Sequence, residues 1–243
     1  MQVETEAIVC ALRGHGEHGG IVRIFTPRDG LVAAYVRGAR SRRMRPVLMA
    51  GNVVAAQLRS RSDAQLPQAT IELAQSRAAV LGEPLPAAAV DWAAALVATT
   101  LPERQPYPRL YQAFAGLLDA VEAAPSAKGW APALVHFELL LLKELGFGLD
   151  LDSCALTGSA DDLVAVSPRS GRAISASAAE PYDGKLLKLP RFVFDGGAAS
   201  WADVLAGLEL SGHFLVRDVL PERARPVGEI RARLVERLKR AAD

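Results

Sequence analysis

The sequence predicts an α+β protein with a β-rich front segment and an α-helical rear segment. Five short runs rich in apolar and β-branched residues lie before residue 80, separated by turn signals. After Gly82-Glu83-Pro84-Leu85-Pro86 the sequence becomes rich in Ala and Leu. Charge divides at the same place: residues 1–80 hold 11 Arg, no Lys and 6 acids (+5), whereas residues 81–243 hold 17 basic and 21 acidic residues (−4). We therefore predict two domains, 1–80 and 81–243.

The front segment is predicted to form five strands. Pro27-Arg28-Asp29-Gly30 is a strong turn, because Pro sets φ and Gly permits positive φ. Gly51-Asn52 opens the fourth strand. Five short strands fit a small closed barrel or a sandwich, and an OB-type barrel matches the count. The predicted strands are Val3–Leu12, Ile21–Phe25, Leu31–Val36, Val53–Leu58 and Thr70–Leu73.

The rear segment is predicted to be helical, with an irregular insertion at about 150–190. Helices are expected at about 85–101, 107–123 and 130–146, the third stopping at Gly146. The insertion loses the helical periodicity and holds only brief apolar pieces. Helical sequence returns at Ser200, and Pro226 lies in the first turn of a last amphipathic helix.

Composition excludes several classes of protein. Half of the residues are hydrophobic, so a packed core is expected and global disorder is not. Two cysteines are too few for a disulfide framework and favour a reducing compartment. The chain starts with acidic rather than basic residues, and no run approaches the ~20 apolar residues of a membrane span. We expect a soluble cytoplasmic protein with no membrane partner.

Five arginines follow the third strand within nine residues, and no acid interrupts them. They predict a polyanion-binding loop, because each guanidinium can bind a phosphate bidentately. Strand ends and turns can extend this surface, and a solvated loop in an arginine-rich chain is the alternative. Phe25 and Tyr35 are the only candidates for stacking on bases, which favours binding to the backbone regardless of sequence. The loop arginines are Arg37, Arg40, Arg42, Arg43 and Arg45, and the candidate extension is Arg23, Arg59 and Arg61.

Other motifs give weaker signals. The Gly14–Gly20 segment lacks the Lys-Ser/Thr ending of a phosphate loop, and a hairpin turn explains it better than a metal site of Cys10, His15 and His18. The pair Asp161-Asp162 suggests a metal-dependent hydrolase only if more oxygen ligands are present. We find no catalytic constellation and predict a protein that is not an enzyme and has no cofactor.

The ordered motifs of the whole chain resemble the RecO family of bacterial recombination mediators. The front half carries Gly16-Glu17-His18, then Ile21–Thr26 and Gly30-Leu31, then Arg37-Gly38-Ala39-Arg40. The rear half carries Phe137–Phe147, followed by Leu151, Cys154, Thr157-Gly158, Ser167-Pro168 and Gly171. Each fragment alone is weak, and the ordered set is specific.

This resemblance implies an N-terminal OB-fold, a helical C-terminal domain and association with the nucleoid. It implies binding of single- and double-stranded DNA, annealing of complementary strands, and cooperation with RecR and single-stranded-DNA-binding protein to load RecA. The acidic tail of that binding protein would need an apolar pocket rimmed by cations, for which Phe137, Leu141 and Lys143 are candidates. Packing in the core is the alternative role for the two apolar residues. An RNA-binding OB protein and a non-catalytic protein adaptor are the alternatives.

One departure from the family concerns zinc. Some members hold zinc through two cysteine pairs in the region of residues 150–180. Here the first pair is Cys154 and Thr157, and the second falls near Ser175 and Ala178. One thiol cannot supply the four ligands of a structural zinc site. We therefore expect a degenerate zinc-finger-like insertion without metal, held by apolar packing.

Overall fold

The computed structural model describes residues 2–62, 65–124, 126–182, 184–220 and 224–242. The chain forms two compact units, Met1–Glu122 and Ala123–Asp243. Among the described residues, no helix combines the length and the hydropathy needed to cross a bilayer.

The first unit contains a closed five-stranded barrel in the order β1-β2-β3-β5-β4. The long first strand closes it, because its second half pairs with β2 and its first half pairs with β4. Alternate side chains point inward and form the barrel core, which includes Val9, Ile24 and Val54. The five strands are β1 (Gln2–His15), β2 (Gly19–Thr26), β3 (Gly30–Val36), β4 (Val53–Arg59) and β5 (Gln68–Gln75).

Three helices complete this unit: α1 (Ala78–Leu81), α2 (Pro84–Thr100) and α3 (Pro108–Ala123). They cover part of the outer face of the barrel. Phe25 of β2 is fully buried and packs edge-on against Tyr111, with ring centroids 5.5 Å apart. The buried guanidinium of Arg77 forms ion pairs with Asp119 (2.5 Å) and with Glu122.

The second unit combines helices with a small sheet of order β7-β6-β8. A capping box of Ser200 and Asp203 starts the helix at Trp201. A π-helical segment, Leu215–Val219, follows that helix. The elements are α4 (Ala127–Glu144), β6 (Leu163–Val166), β7 (Ala173–Ser175), α5 (Ala176–Ala179), a 3-10 turn (Glu180–Tyr182), β8 (Leu187–Lys188), α6 (Phe192–Asp195), α7 (Trp201–Phe214) and α8 (Arg225–Ala242).

A buried ion pair ties three of these helices together. Glu138 of α4 is fully buried and accepts two bonds from Arg231 of α8, at 2.9 and 2.8 Å. The Ser211 hydroxyl of α7 donates to the same carboxylate. A buried charge is tolerable only when paired and hydrogen-bonded, and Arg231 and Ser211 together meet this requirement for Glu138.

The five strands and the main helices confirm the predicted α+β order. Gly146 has φ +88° just after α4, as expected of a left-handed stop. The barrel, rather than a sandwich, is formed. The sequence did not predict α1, the π-helical segment or the short helices of the insertion.

Candidate nucleic-acid interface

The arginine loop is a series of turns anchored by apolar side chains. It contains two backbone hydrogen bonds between residues four apart, the spacing found in an α-helix. The Arg45 amide donates to the Ser41 carbonyl (3.1 Å), and the Leu48 amide donates to the Met44 carbonyl (3.0 Å). Ala39 and Leu48 are buried in the barrel core, and Met44 packs partly against it. Apolar burial therefore stabilises this loop without using any of its charges.

The end of the loop is fixed by Asn52, whose side chain is buried. Its amide group donates to the carbonyls of Pro46 (2.7 Å) and Val47 (3.2 Å), and its oxygen accepts from the Arg77 amide (2.9 Å). The preceding Gly51 has φ +84°, and its amide donates to the Val9 carbonyl of β1. These bonds pin the loop to the barrel wall.

All five loop arginines are exposed. In the part of the chain that the structure describes, none of them forms an ion pair with an acid. Exposed guanidiniums repel one another little in water but retain their full charge for a phosphate. The loop thus presents a concentrated positive surface on a fixed support.

The β1–β2 hairpin lies beneath this loop. The Arg40 amide donates to the His18 carbonyl (3.5 Å), and the Arg40 guanidinium lies where a side chain at Gly14 would stand. His15 contacts Tyr35 edge-on, with ring centroids 6.0 Å apart. The structure confirms the hairpin predicted from the glycines and places its two exposed histidines, His15 and His18, beside the loop.

Two of the three extension arginines lie near the start of the loop. Arg59 ends β4 and pairs with Gln68, and Gln68 pairs with Tyr35, two residues before Arg37. A shallow groove joins Arg59 and Arg61, both exposed. The barrel register therefore brings these two cations to the strand end from which the arginine loop leaves.

Arg23 has a different role in the structure. Its guanidinium donates to the Ala98 carbonyl and pairs with Glu103 at 3.1 Å. These contacts fix α2 and the segment after it on the barrel. The structure therefore does not bring Arg23 into the set of unpaired cations.

The aromatic candidates are also separated by the fold. The Phe25 ring is fully buried under α3 and cannot stack on a base. Tyr35 is half-buried and remains beside His15. One of the two stacking candidates, Phe25, is therefore a core residue.

The candidate partner residues on α4 fall mostly in the core. Phe137 is 1% exposed and Leu141 is 0% exposed, whereas Lys143 is exposed. Neither apolar side chain lines a surface in the described structure. The two apolar candidates, Phe137 and Leu141, are therefore core residues rather than the lining of a docking pocket.

The four positions that the family resemblance predicts to replace zinc ligands, Cys154, Thr157, Ser175 and Ala178, lie together in the second unit. The Ser175 hydroxyl donates to the Cys154 thiol sulfur at 3.3 Å, and Ala178 packs against the same apolar cluster. Hydrogen bonds from Ser175 and then Thr157 lower the pKa of the Cys154 thiol to about 6. The cluster of Cys154, Ala165 and Ile174 supplies the apolar packing expected here.

Comparison with known proteins defines the class of the chain. A family model described as Recombination protein O N terminal matches residues 1–77, and one described as Recombination protein O C terminal matches residues 84–225. The chain thus has both parts of a bacterial recombination protein, in order.

Individual relatives are similar in sequence to this chain over nearly its full length. A protein of Caulobacter sp. (strain K31) named DNA repair protein RecO is 44% identical over 243 residues, with 99% of both chains covered. A protein of the same name from Phenylobacterium zucineum is 44% identical over the same coverage. One from Rhodospirillum centenum is 43% identical over 99% of this chain and 96% of its own. The chain belongs to the RecO family.

Proposed function

We propose that this protein is a DNA-binding mediator of recombinational DNA repair. The observation that carries this proposal is a set of five exposed arginines on an apolar-anchored loop, none of which pairs with an acid among the residues that the structure describes. Such a surface favours the DNA backbone over base edges, so it suits single and double strands of any sequence. Membership of the RecO family, whose relatives are named DNA repair proteins, supports the same role.

The proposal includes annealing of complementary strands. Two strands repel each other through their phosphates, and cations that neutralise both backbones lower this repulsion. With RecR, the protein would then help load RecA onto DNA covered by single-stranded-DNA-binding protein. The rear unit would bind the acidic tail of that protein near the exposed Lys143.

Several structural assignments belong to this proposal. The closed five-stranded barrel supports an OB-type domain spanning about residues 1–80. The helical domain is proposed over 81–243, and its first long helices, α2 and α3, pack on the barrel within the first compact unit. The clustering of Cys154, Thr157, Ser175 and Ala178 supports a degenerate zinc-finger-like insertion. We propose a protein that acts in the cytoplasm at the nucleoid, without catalysis or cofactor.

The test is fluorescence anisotropy with labelled single-stranded and duplex DNA, titrated with salt. If five arginines each meet a phosphate, log K against log salt on single strands has a slope of about −3.5, at ~0.7 per contact. A variant with all five loop arginines replaced by alanine should lose most of this slope. A control that removes the same number of positive charges from α8 should keep it; its replaced residues are Arg225, Arg233, Arg237, Lys239 and Arg240.

The outcomes separate the alternatives. Loss of binding in the loop variant alone supports the proposal, and loss in the α8 variant alone moves the site to the rear unit. Tighter binding to RNA than to DNA of equal length would favour an RNA-binding protein. No binding by the wild type would favour a protein adaptor.

A further inference from the structure

A small apolar pocket opens at the mouth of the barrel, in the first unit. Its floor is formed by Val3, Val32 and Leu58, which are side chains of the barrel interior. The cavity is about 130 Å³, far below the ~300–1,000 Å³ of sites that enclose a whole ligand. It has room for one ring or one side chain.

The rim of this pocket is charged. Arg28 of the β2–β3 turn and Arg104 line it, and both are exposed. Among the described residues neither forms an ion pair with an acid. Asp29 also lines it and adds one carboxylate, so the rim offers two cations and one hydrogen-bond acceptor.

Arg104 is held at the rim in an unusual conformation. Its φ is +60°, in the left-handed region that a residue with a side chain rarely adopts. Its amide donates to the Leu31 carbonyl at 2.9 Å, which adds the 103–104 segment to the edge of β3. Gly30 permits this approach, because a Cβ there would collide with the Gln105 backbone. Strain that the surrounding structure maintains is typical of functional positions.

The pocket continues into the cationic groove of β4. Ser60 lines both the pocket and the groove that joins Arg59 and Arg61. A chain of phosphates that follows the groove therefore arrives at the rim arginines. This continuity favours a nucleic-acid occupant over an isolated small molecule.

We propose that this pocket receives one unstacked base of single-stranded DNA, with the adjoining phosphates bound by Arg28 and Arg104. The base would place its ring on the apolar floor, and Asp29 would accept a hydrogen bond from an exocyclic amino group. A base paired in a duplex cannot enter without being flipped out. The pocket thus distinguishes single strands from duplex, which the arginine loop does not. This inference rests on the DNA binding proposed above.

The test uses two variants of the full chain that act through different properties. Val3→Phe fills the cavity and changes no charge, whereas the double variant Arg28→Ala, Arg104→Ala removes the rim cations and leaves the floor. The control is Arg109→Ala, Arg169→Ala, which removes the same charge from exposed sites elsewhere. Thermal unfolding checks that each variant is folded.

The first readout is affinity for a single strand and for its duplex at one salt concentration. A base on the apolar floor removes apolar surface from water, so Val3→Phe, which blocks this burial, should weaken single-strand binding about fivefold or more. Duplex binding should change less than about twofold, because no base leaves the stack. The rim variant should also lose more affinity for single strands than for duplex.

The second readout is a single 2-aminopurine in the labelled strand, whose emission rises when it is unstacked. The described residues that line the pocket include no aromatic side chain, so the probe should brighten on binding wild type but not Val3→Phe. Unchanged single-strand affinity and brightening in both variants would overturn the pocket while leaving the DNA-binding proposal intact. If wild type binds no DNA, both proposals fail.

Discussion

Two arginine-rich segments of this protein differ in whether acidic residues lie beside their cations. The loop of residues 37–45 carries five exposed arginines, and apolar side chains such as Leu48 hold it to the barrel. Helix α8 carries six cations but interleaves them with Glu229 and Glu236. Lys239 pairs with Glu236 at 2.9 Å, which raises the lysine pKa and lowers that of the glutamate.

The difference shows that the number of cations does not by itself define a binding surface. On α8 the inward Arg231 is used to neutralise a buried carboxylate, and exposed neighbours have acids beside them. On the loop, apolar burial and the hydrogen bonds of Asn52 provide the attachment, so in the described structure its five arginines stay exposed. The same residue type therefore stabilises structure in one segment and presents charge in the other.

The largest expected effect is on α8. Arg231→Ala leaves Glu138 buried without its cation, so the free energy of unfolding should fall by about 3–5 kcal/mol. Urea denaturation measures this change. Arg233→Ala, an exposed site on the same helix, should change stability by less than about 0.5 kcal/mol. Equal effects of the two substitutions would mean that Arg231 contributes no more to stability than an exposed arginine of the same helix.

The anchoring of the loop predicts the next effect. Leu48→Ala removes a buried side chain and should lower the free energy of unfolding by about 2–3 kcal/mol. Leu66→Ala, at a side chain that is 46% exposed, is the matched control and should be almost neutral. A stable Leu48→Ala variant would mean that apolar burial does not hold the arginines in place.

A smaller loss of stability is expected from removing Asn52, the residue that fixes the end of the loop. Asn52→Ala leaves the buried Arg77 amide and two loop carbonyls without their partner, at a cost of about 1–2 kcal/mol. Thermal unfolding beside Gln57→Ala, an exposed amide on β4, measures it. Identical melting temperatures for the two variants would remove Asn52 from the support of the loop.

The smallest effect concerns a single loop arginine. Arg40→Ala should leave stability unchanged and flatten the salt slope of single-strand binding by less than one unit, ~0.7 per phosphate contact. Arg233→Ala on α8 should leave that slope as it is. An unchanged slope in Arg40→Ala would place the phosphate contact elsewhere on the protein.

The sequence by itself determined the order of strands and helices and the position of the arginine loop. Periodicity and turn residues are local signals, so Pro27–Gly30 and Gly146 marked their turns correctly. The cluster of five arginines is contiguous in the chain, and its exposure follows from the cost of burying unpaired charge.

Only the tertiary structure decided the partners of the other side chains. Arg23 and Phe25 lie on a predicted strand, and their residue types suggested phosphate binding and base stacking. In the structure, Arg23 contacts α2 and Phe25 packs against α3. Arg104 lies 76 positions after Arg28 along the sequence and reaches the barrel mouth only by packing on Gly30. Contacts between distant residues depend on how elements pack, and no local pattern encodes them.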